Sequence, residues 1–125
     1  MKIVGYLEGT DGVFLTRLAA KGVDTLPLGN GADNHGKYVG FVDHSDSISL
    51  VIGYLHKVLP LSRHSATRLE LLQACQINRI PVLLIVPSEL HADVKKLDIM
   101  RDLPENVQLV DPAEVMARAG KVLGF

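Results

Sequence analysis

The run Thr67-Arg68-Leu69-Glu70-Leu71-Leu72-Gln73-Ala74 sets one carboxylate in the first turn of a helical pattern that follows a buried, apolar strand pattern. Pro81-Val82 opens the next apolar run, and Gly5-Tyr6-Leu7-Glu8-Gly9 closes the first. In an open α/β sheet, ligands collect outside the carboxyl ends of the strands, where loops meet helix N-termini. Thr67, Glu70 and Ala74 stand at i, i+3 and i+7 and so share a helix face. Near them the chain gathers His56, Lys57, Arg63, His64 and Arg68, with the hydroxyls of Ser62, Ser65 and Thr67. Cations and hydroxyls beside unpaired helix-terminal N–H groups describe an anion site, and a phosphate would suit it. The same spacing has a structural reading. Thr67-x-x-Glu70 is also a capping box, in which the two side chains satisfy each other's end of the helix. Glu70 stands evenly between the two roles, and Arg63 and His64 also fit as solvated loop residues.

The elements that must position these residues alternate along the chain. Lys2–Leu7 reads as a short central strand. Asp11–Lys21 follows as a helix, with Asp11 as N-cap and Gly22 as C-cap. Val23–Leu28 is a second strand, and Gly29–Gly36 reads as a mobile polar loop, with a phosphate-binding nest as its functional alternative. Lys37–Val42 fits either a short strand or the lead-in to a helix over Asp43–Ser47. Ile48–Leu55 and Pro81–Val86 are continuous apolar runs, expected as adjacent, parallel, buried strands with a Ser65–Arg79 helix crossing between them. A helix over Ser88–Met100 with Ser88 as N-cap, a strand over Val107–Val110, and a helix over Pro112–Leu123 capped by Asp111 complete the pattern. Such alternation predicts a single α/β domain: a doubly wound, mostly parallel sheet of about five strands in a three-layer, flavodoxin-like or Rossmann-like sandwich.

Composition narrows the functional classes. The chain has 125 residues, enough for one domain with a respectable core, and 47% of them are hydrophobic, nearly all aliphatic. The formal charge of −1 exerts no global pull toward nucleic acid or anionic membrane. Met1-Lys2-Ile3-Val4-Gly5 enters a strand without a basic leader, and no apolar run approaches the ~20 residues of a membrane helix, so a cytoplasmic protein is expected. The single Cys75 excludes an internal disulfide and reads as a small buried hydrophobe. His35, His44, His56, His64 and His91 lack metal-ligand spacing, so no metal site is expected. Neither a Gly-Lys-Ser/Thr phosphate loop, a dinucleotide fingerprint nor a Gly-x-Ser-x-Gly elbow occurs, and no cofactor is implied.

On these residues the chain resembles the nucleoside 2-deoxyribosyltransferase-like family, which includes hydrolases of nucleotide N-glycosidic bonds. Tyr6-Leu7-Glu8-Gly9-Thr10 is similar to that family's Tyr-Leu-Ala-Gly-Pro strand end, and Asp46, or Asp43, to the Asp ahead of its central strand. Thr67, Glu70, Ala74 and Pro81-Val82 fit the spacing of its Asp-x-Gly-Thr-x-x-Glu-x-Gly-x-Ala…Pro-Val motif. The chain departs from it at Arg63, His64, Ser65 and Ala66, which replace the Asp-x-Gly stretch, and at Leu72, which replaces the second Gly. The resemblance covers residues 1 to about 87. It implies a Glu70 nucleophile attacking the anomeric carbon, Asp46 binding or protonating, and Tyr6, Gly9, Arg63, His64, Ser65 and Thr67 around the ligand.

The functional expectation is a domain that binds a nucleoside, nucleotide or sugar phosphate, with N-glycosidic cleavage or transfer by Glu70 as its most concrete chemistry. Such chemistry needs an ionised Glu70 near a developing oxocarbenium and a second acid for the leaving base. The alternative is a noncatalytic ligand-binding or assembly module on the same fold. The apolar residues Leu69, Leu72 and Ile77 predict a homodimer or higher even oligomer that covers a surplus helix face.

Overall fold

In a computed structural model, which describes residues 2–59, 69–101 and 103–125, the alternation becomes one all-parallel sheet. Its strands are β1 (Ile3–Leu7), β2 (Asp24–Gly29), β3 (Lys37–Tyr38), β4 (Leu50–Tyr54), β5 (Val82–Ile85) and β6 (Val107–Val110). They lie in the order β3-β2-β1-β4-β5-β6. The sixth strand beyond the expected five is β3, two residues pairing Leu28 with Lys37 and Gly29 with Tyr38. β4 and β5 are adjacent and parallel as expected, in register from Val51↔Val82 to Tyr54↔Ile85.

Each central strand sends alternate side chains to opposite faces, so the apolar runs build two cores rather than one. Leu50, Ile52, Leu83 and Ile85 meet Phe14 and Leu18 of α1 (Gly12–Ala20) and Val115, Ala119 and Leu123 of α4 (Val115–Leu123). Val51, Val82 and Leu84 meet Leu72 and Cys75 on the opposite face, together with Val94 and Met100. There α2 (Gln73–Ile77) and α3 (His91–Lys95) cover the sheet. Three layers result. Among the described residues no helix is long and apolar enough to cross a membrane.

Helix ends follow the expected chemistry in part. The Asp11 carboxylate accepts from the Val13 N–H at 3.0 Å, while the C-cap is Lys21 and Gly22 follows it in the left-handed conformation. The expected Ser88–Met100 helix is broken into a 3-10 turn at Ser88–Leu90, α3, and a second 3-10 turn at Asp98–Met100. Leu97 is extended between the last two, and the break turns Met100 into the core. Ser88 is not the N-cap. That position is Pro87, and the Ser88 N–H donates instead to Asp111 across 2.8 Å. Likewise the segment Asp43–Ser47 yields only a 3-10 turn, His44–Asp46, ended by Ser47 in the left-handed region.

Asp111 thus clasps two chain segments, accepting from Ser88 N–H and from Ala113 N–H at 2.9 Å. These donors, the Ser88 amide foremost, hold its carboxyl below the ordinary 3.8. A depressed carboxylate stabilises the fold above the unfolded-state value of about 4 and loses that contribution as pH falls through the lower folded value. Asp111→Asn should therefore lower Tm at pH 7 and shrink the Tm difference between pH 7 and pH 3. An unchanged pH dependence of Tm would contradict the clasp.

The helix expected over Ser65–Arg79 is described from Leu69 onward: a 3-10 turn over Glu70–Leu72 runs into α2. Leu69 and Leu72 are both spent in the domain's own core, and only Ile77, 71% exposed, faces outward. The surplus apolar face expected to drive subunit pairing is therefore mostly covered from within. Cys75 is fully buried, and its desolvation pushes the thiol up to about 11, as befits a packing residue.

Candidate functional site

Strand order reverses between β1 and β4. From β1 the chain moves one way to β2 and β3; from β4 it moves the other way to β5 and β6. At such a switch point the loops leaving the carboxyl ends diverge and open a crevice, the usual ligand position in an open α/β sheet. Glu8 and Gly9 leave β1 there, Asn30 to Gly36 leave β2, and Lys57 ends the 3-10 turn that follows β4.

These three loops meet at Lys57. Its ammonium nitrogen lies 3.5 Å from Glu8 Oε2 and 4.0 Å from Asp33 Oδ2. Its backbone carbonyl accepts from Asn30 Nδ2 at 3.0 Å. Asn30 Oδ1 in turn accepts from the Ala32 and Asp33 N–H groups, an Asx turn that folds the loop onto itself. The His35 ring adds a further tie. Its Nδ1 stands 3.1 Å from the Leu28 carbonyl, which can only accept, so Nδ1 carries the hydrogen. The loop read from sequence as mobile and polar is thus pinned to β2 and to the β4 turn.

Charge at this crevice is mixed. Among the described residues two carboxylates flank one ammonium, while Arg63, His64 and Arg68, the cations expected around a phosphate, lie outside the described residues. Glu8 has a side chain 49% exposed, whereas that of Lys57 is only 21% exposed. Asp33 Oδ2 is buried and has no hydrogen-bond partner. Gly9 sits at φ +87°, and among the described residues beyond its chain neighbours the nearest atom to a Cβ placed there would be Lys57 Cε at 3.9 Å.

The residues singled out from sequence are dispersed. Tyr6 is half-buried on β1, with its ring edge-on to His35 at 5.2 Å between centroids. Gly9 lies at the crevice. Glu70 is exposed and is the first residue of its 3-10 turn, with Leu69 as N-cap and no side-chain capping bond. The N-cap is therefore not Thr67, and the capping-box register is not adopted. Arg63, His64, Ser65 and Thr67 lie outside the described residues. Asp46 stands ahead of the amino end of β4, away from the edge that Glu70's crossover leaves. There it closes a capping box with Asp43, accepting from the Asp43 N–H at 3.0 Å, and pairs with Lys37 Nζ at 2.8 Å. The Lys37 hydrogen bond, then that backbone N–H, holds the Asp46 carboxyl below its ordinary value. An ionised carboxylate so engaged has no proton to lend to a leaving base.

A second concavity, a cleft of about 770 Å³, opens at the amino ends of β5 and β6 among Gln76, Arg79, Glu105, Asn106 and Gln108. Among the described residues, the carboxyl edge instead draws side chains from the loops of three different strands. Among the described residues no three His, Cys, Asp or Glu side chains gather as a metal site would require. Neither protein-family models nor curated proteins provide a match to this chain.

Proposed function

We propose that this chain is a small-molecule-binding domain for a nucleoside, nucleotide or sugar phosphate, seated at the carboxyl edge between β1 and β4. The observation that supports this most is the convergence on Lys57 of loops from β1, β2 and β4 at the reversal of strand order. Glu70, exposed at the head of the 3-10 turn that leads into α2 in the crossover from β4 to β5, is the group we assign to covalent chemistry on a sugar bound there.

Isothermal titration calorimetry against common nucleosides, their 5′-monophosphates, ribose 5-phosphate and 2-deoxyribose 5-phosphate tests the binding. At least one member should bind with a Kd below about 1 mM, equivalent to about −4 kcal/mol. No binding by any member would overturn the proposal. The same mixtures, followed for free base, decide what Glu70 does. Release by the wild type and its loss by several orders of magnitude in Glu70→Gln would make the domain an N-glycosidase, because an amide cannot form the glycosyl ester. Binding without release, unchanged in Glu70→Gln, would make it a binding module alone.

A further inference from the structure

We infer that Glu8 reads the vicinal hydroxyls of a ribose, so that the crevice between β1 and β4 selects ribo- over 2-deoxyribo-sugars. This inference rests on the small-molecule reading of that crevice and adds the part of the ligand that is recognised there.

Three observations carry it. Among the described residues, two carboxylates flank one ammonium where the loops of β1, β2 and β4 meet, and carboxylate oxygens suit hydroxyl donors. Lys57 lies 3.5 Å from one carboxylate and 4.0 Å from the other, beyond the 2.7–2.9 Å of a charge-assisted hydrogen bond. Asp33 Oδ2 is buried without a hydrogen-bond partner, a costly state for a carboxylate oxygen. A diol relieves this arrangement. Its two hydroxyls donate to the Glu8 carboxylate, which is half-exposed and adjoins Gly9. Lys57, released from Glu8, moves about 1 Å onto Asp33 Oδ2 and completes a hydrogen bond of ordinary length. Asn30 keeps the Lys57 backbone in place through this shift by its bond to the carbonyl. A sugar lacking one hydroxyl leaves part of the exchange unmade, and a buried polar group without its partner is what gives hydroxyl recognition its discrimination.

The probes are ribose 5-phosphate and 2-deoxyribose 5-phosphate, which differ by the one hydroxyl, titrated into the wild type and Glu8→Gln. The wild type should bind the ribo-sugar at least about tenfold tighter, the scale of a hydrogen bond to a charged group. Glu8→Gln should bring the ratio below about threefold while leaving the deoxy-sugar affinity within about twofold, since it removes only the charged acceptor. Glu8 is exposed, so the Tm of Glu8→Gln should not move; Lys57→Met, which removes the exchange onto Asp33, should also shrink the preference for ribose. Equal binding of the two sugars by the wild type would overturn the inference and leave the binding domain standing. A ratio undiminished in Glu8→Gln would overturn the assignment to Glu8. If neither sugar phosphate binds, the ratio is read on a ribo- and deoxyribonucleoside pair, and silence across all of them would remove the binding domain itself.

Discussion

Leu84→Ala should destabilise the domain by about 2–5 kcal/mol, the range for truncating a large aliphatic side chain in a close-packed core. Leu84 is wholly inaccessible, and it lies at the centre of β5 with β4 on one side and β6 on the other. Its side chain joins the cluster under α2 and α3, where Leu72, Cys75, Val94 and Met100 also pack. Because strands on both sides hold the backbone, the cavity has little freedom to collapse, which places the loss in the upper part of that range. Urea unfolding at neutral pH would measure it as a lowered midpoint at constant m-value. A loss under about 1 kcal/mol would mean that β5 is not the interior strand described here.

Gly36→Ala should have a comparable effect by a different route, and its consequence should fall on the site. Gly36 has φ +79°, and a Cβ there would come within 2.1 Å of the Pro27 carbonyl oxygen. The left-handed conformation alone costs an alanine about 1–2 kcal/mol. Contact with backbone oxygen cannot be relieved by a rotamer, so the loop must lift from β2. Roughly 2–4 kcal/mol should be lost in all, as strain of this kind adds to the conformational term. Lifting this segment would disturb the neighbouring His35 and Asp33 and weaken ligand affinity at least about tenfold, since misplaced site groups forfeit most of a polar contact. Wild-type stability together with wild-type affinity in Gly36→Ala would refute the tight seat of this loop.

The fold was legible where the sequence is most apolar. Ile48–Leu55 and Pro81–Val86 declare buried parallel strands because both faces of each are covered, and the structure trims them only to Leu50–Tyr54 and Val82–Ile85. Helix continuity was not legible. Whether Ser88–Met100 runs unbroken depends on Asp111, a distant residue that claims the Ser88 N–H, and on the core's claim on Met100. The candidate site was hidden for a related reason. Glu8, Asp33 and Lys57 belong to three separate loops; Glu8 stands out only as part of Tyr6-Leu7-Glu8-Gly9-Thr10 and Lys57 only as one cation among several, and neither pattern pairs them. Only the reversal of strand order joins them. Asp46, by contrast, attracted notice by its position ahead of the central strand, yet its carboxylate serves a turn and Lys37.

The strand order also has a consequence for how the chain assembles during its synthesis. β1 is made first, but it lies inside the sheet with β2 on one edge and β4 on the other, in register from Val4↔Leu50 to Tyr6↔Ile52. A nascent chain can pair β1 with β2 early, as domains form from the N-terminal side outward. The other edge of β1 must wait until Leu50–Tyr54 has emerged, and a parallel closure over so long a loop is slow. Through that interval β1 presents an unpaired, apolar edge of the kind that recruits strands from other chains. The arrival of β4 removes this hazard, and in the same step it carries Lys57 to Glu8.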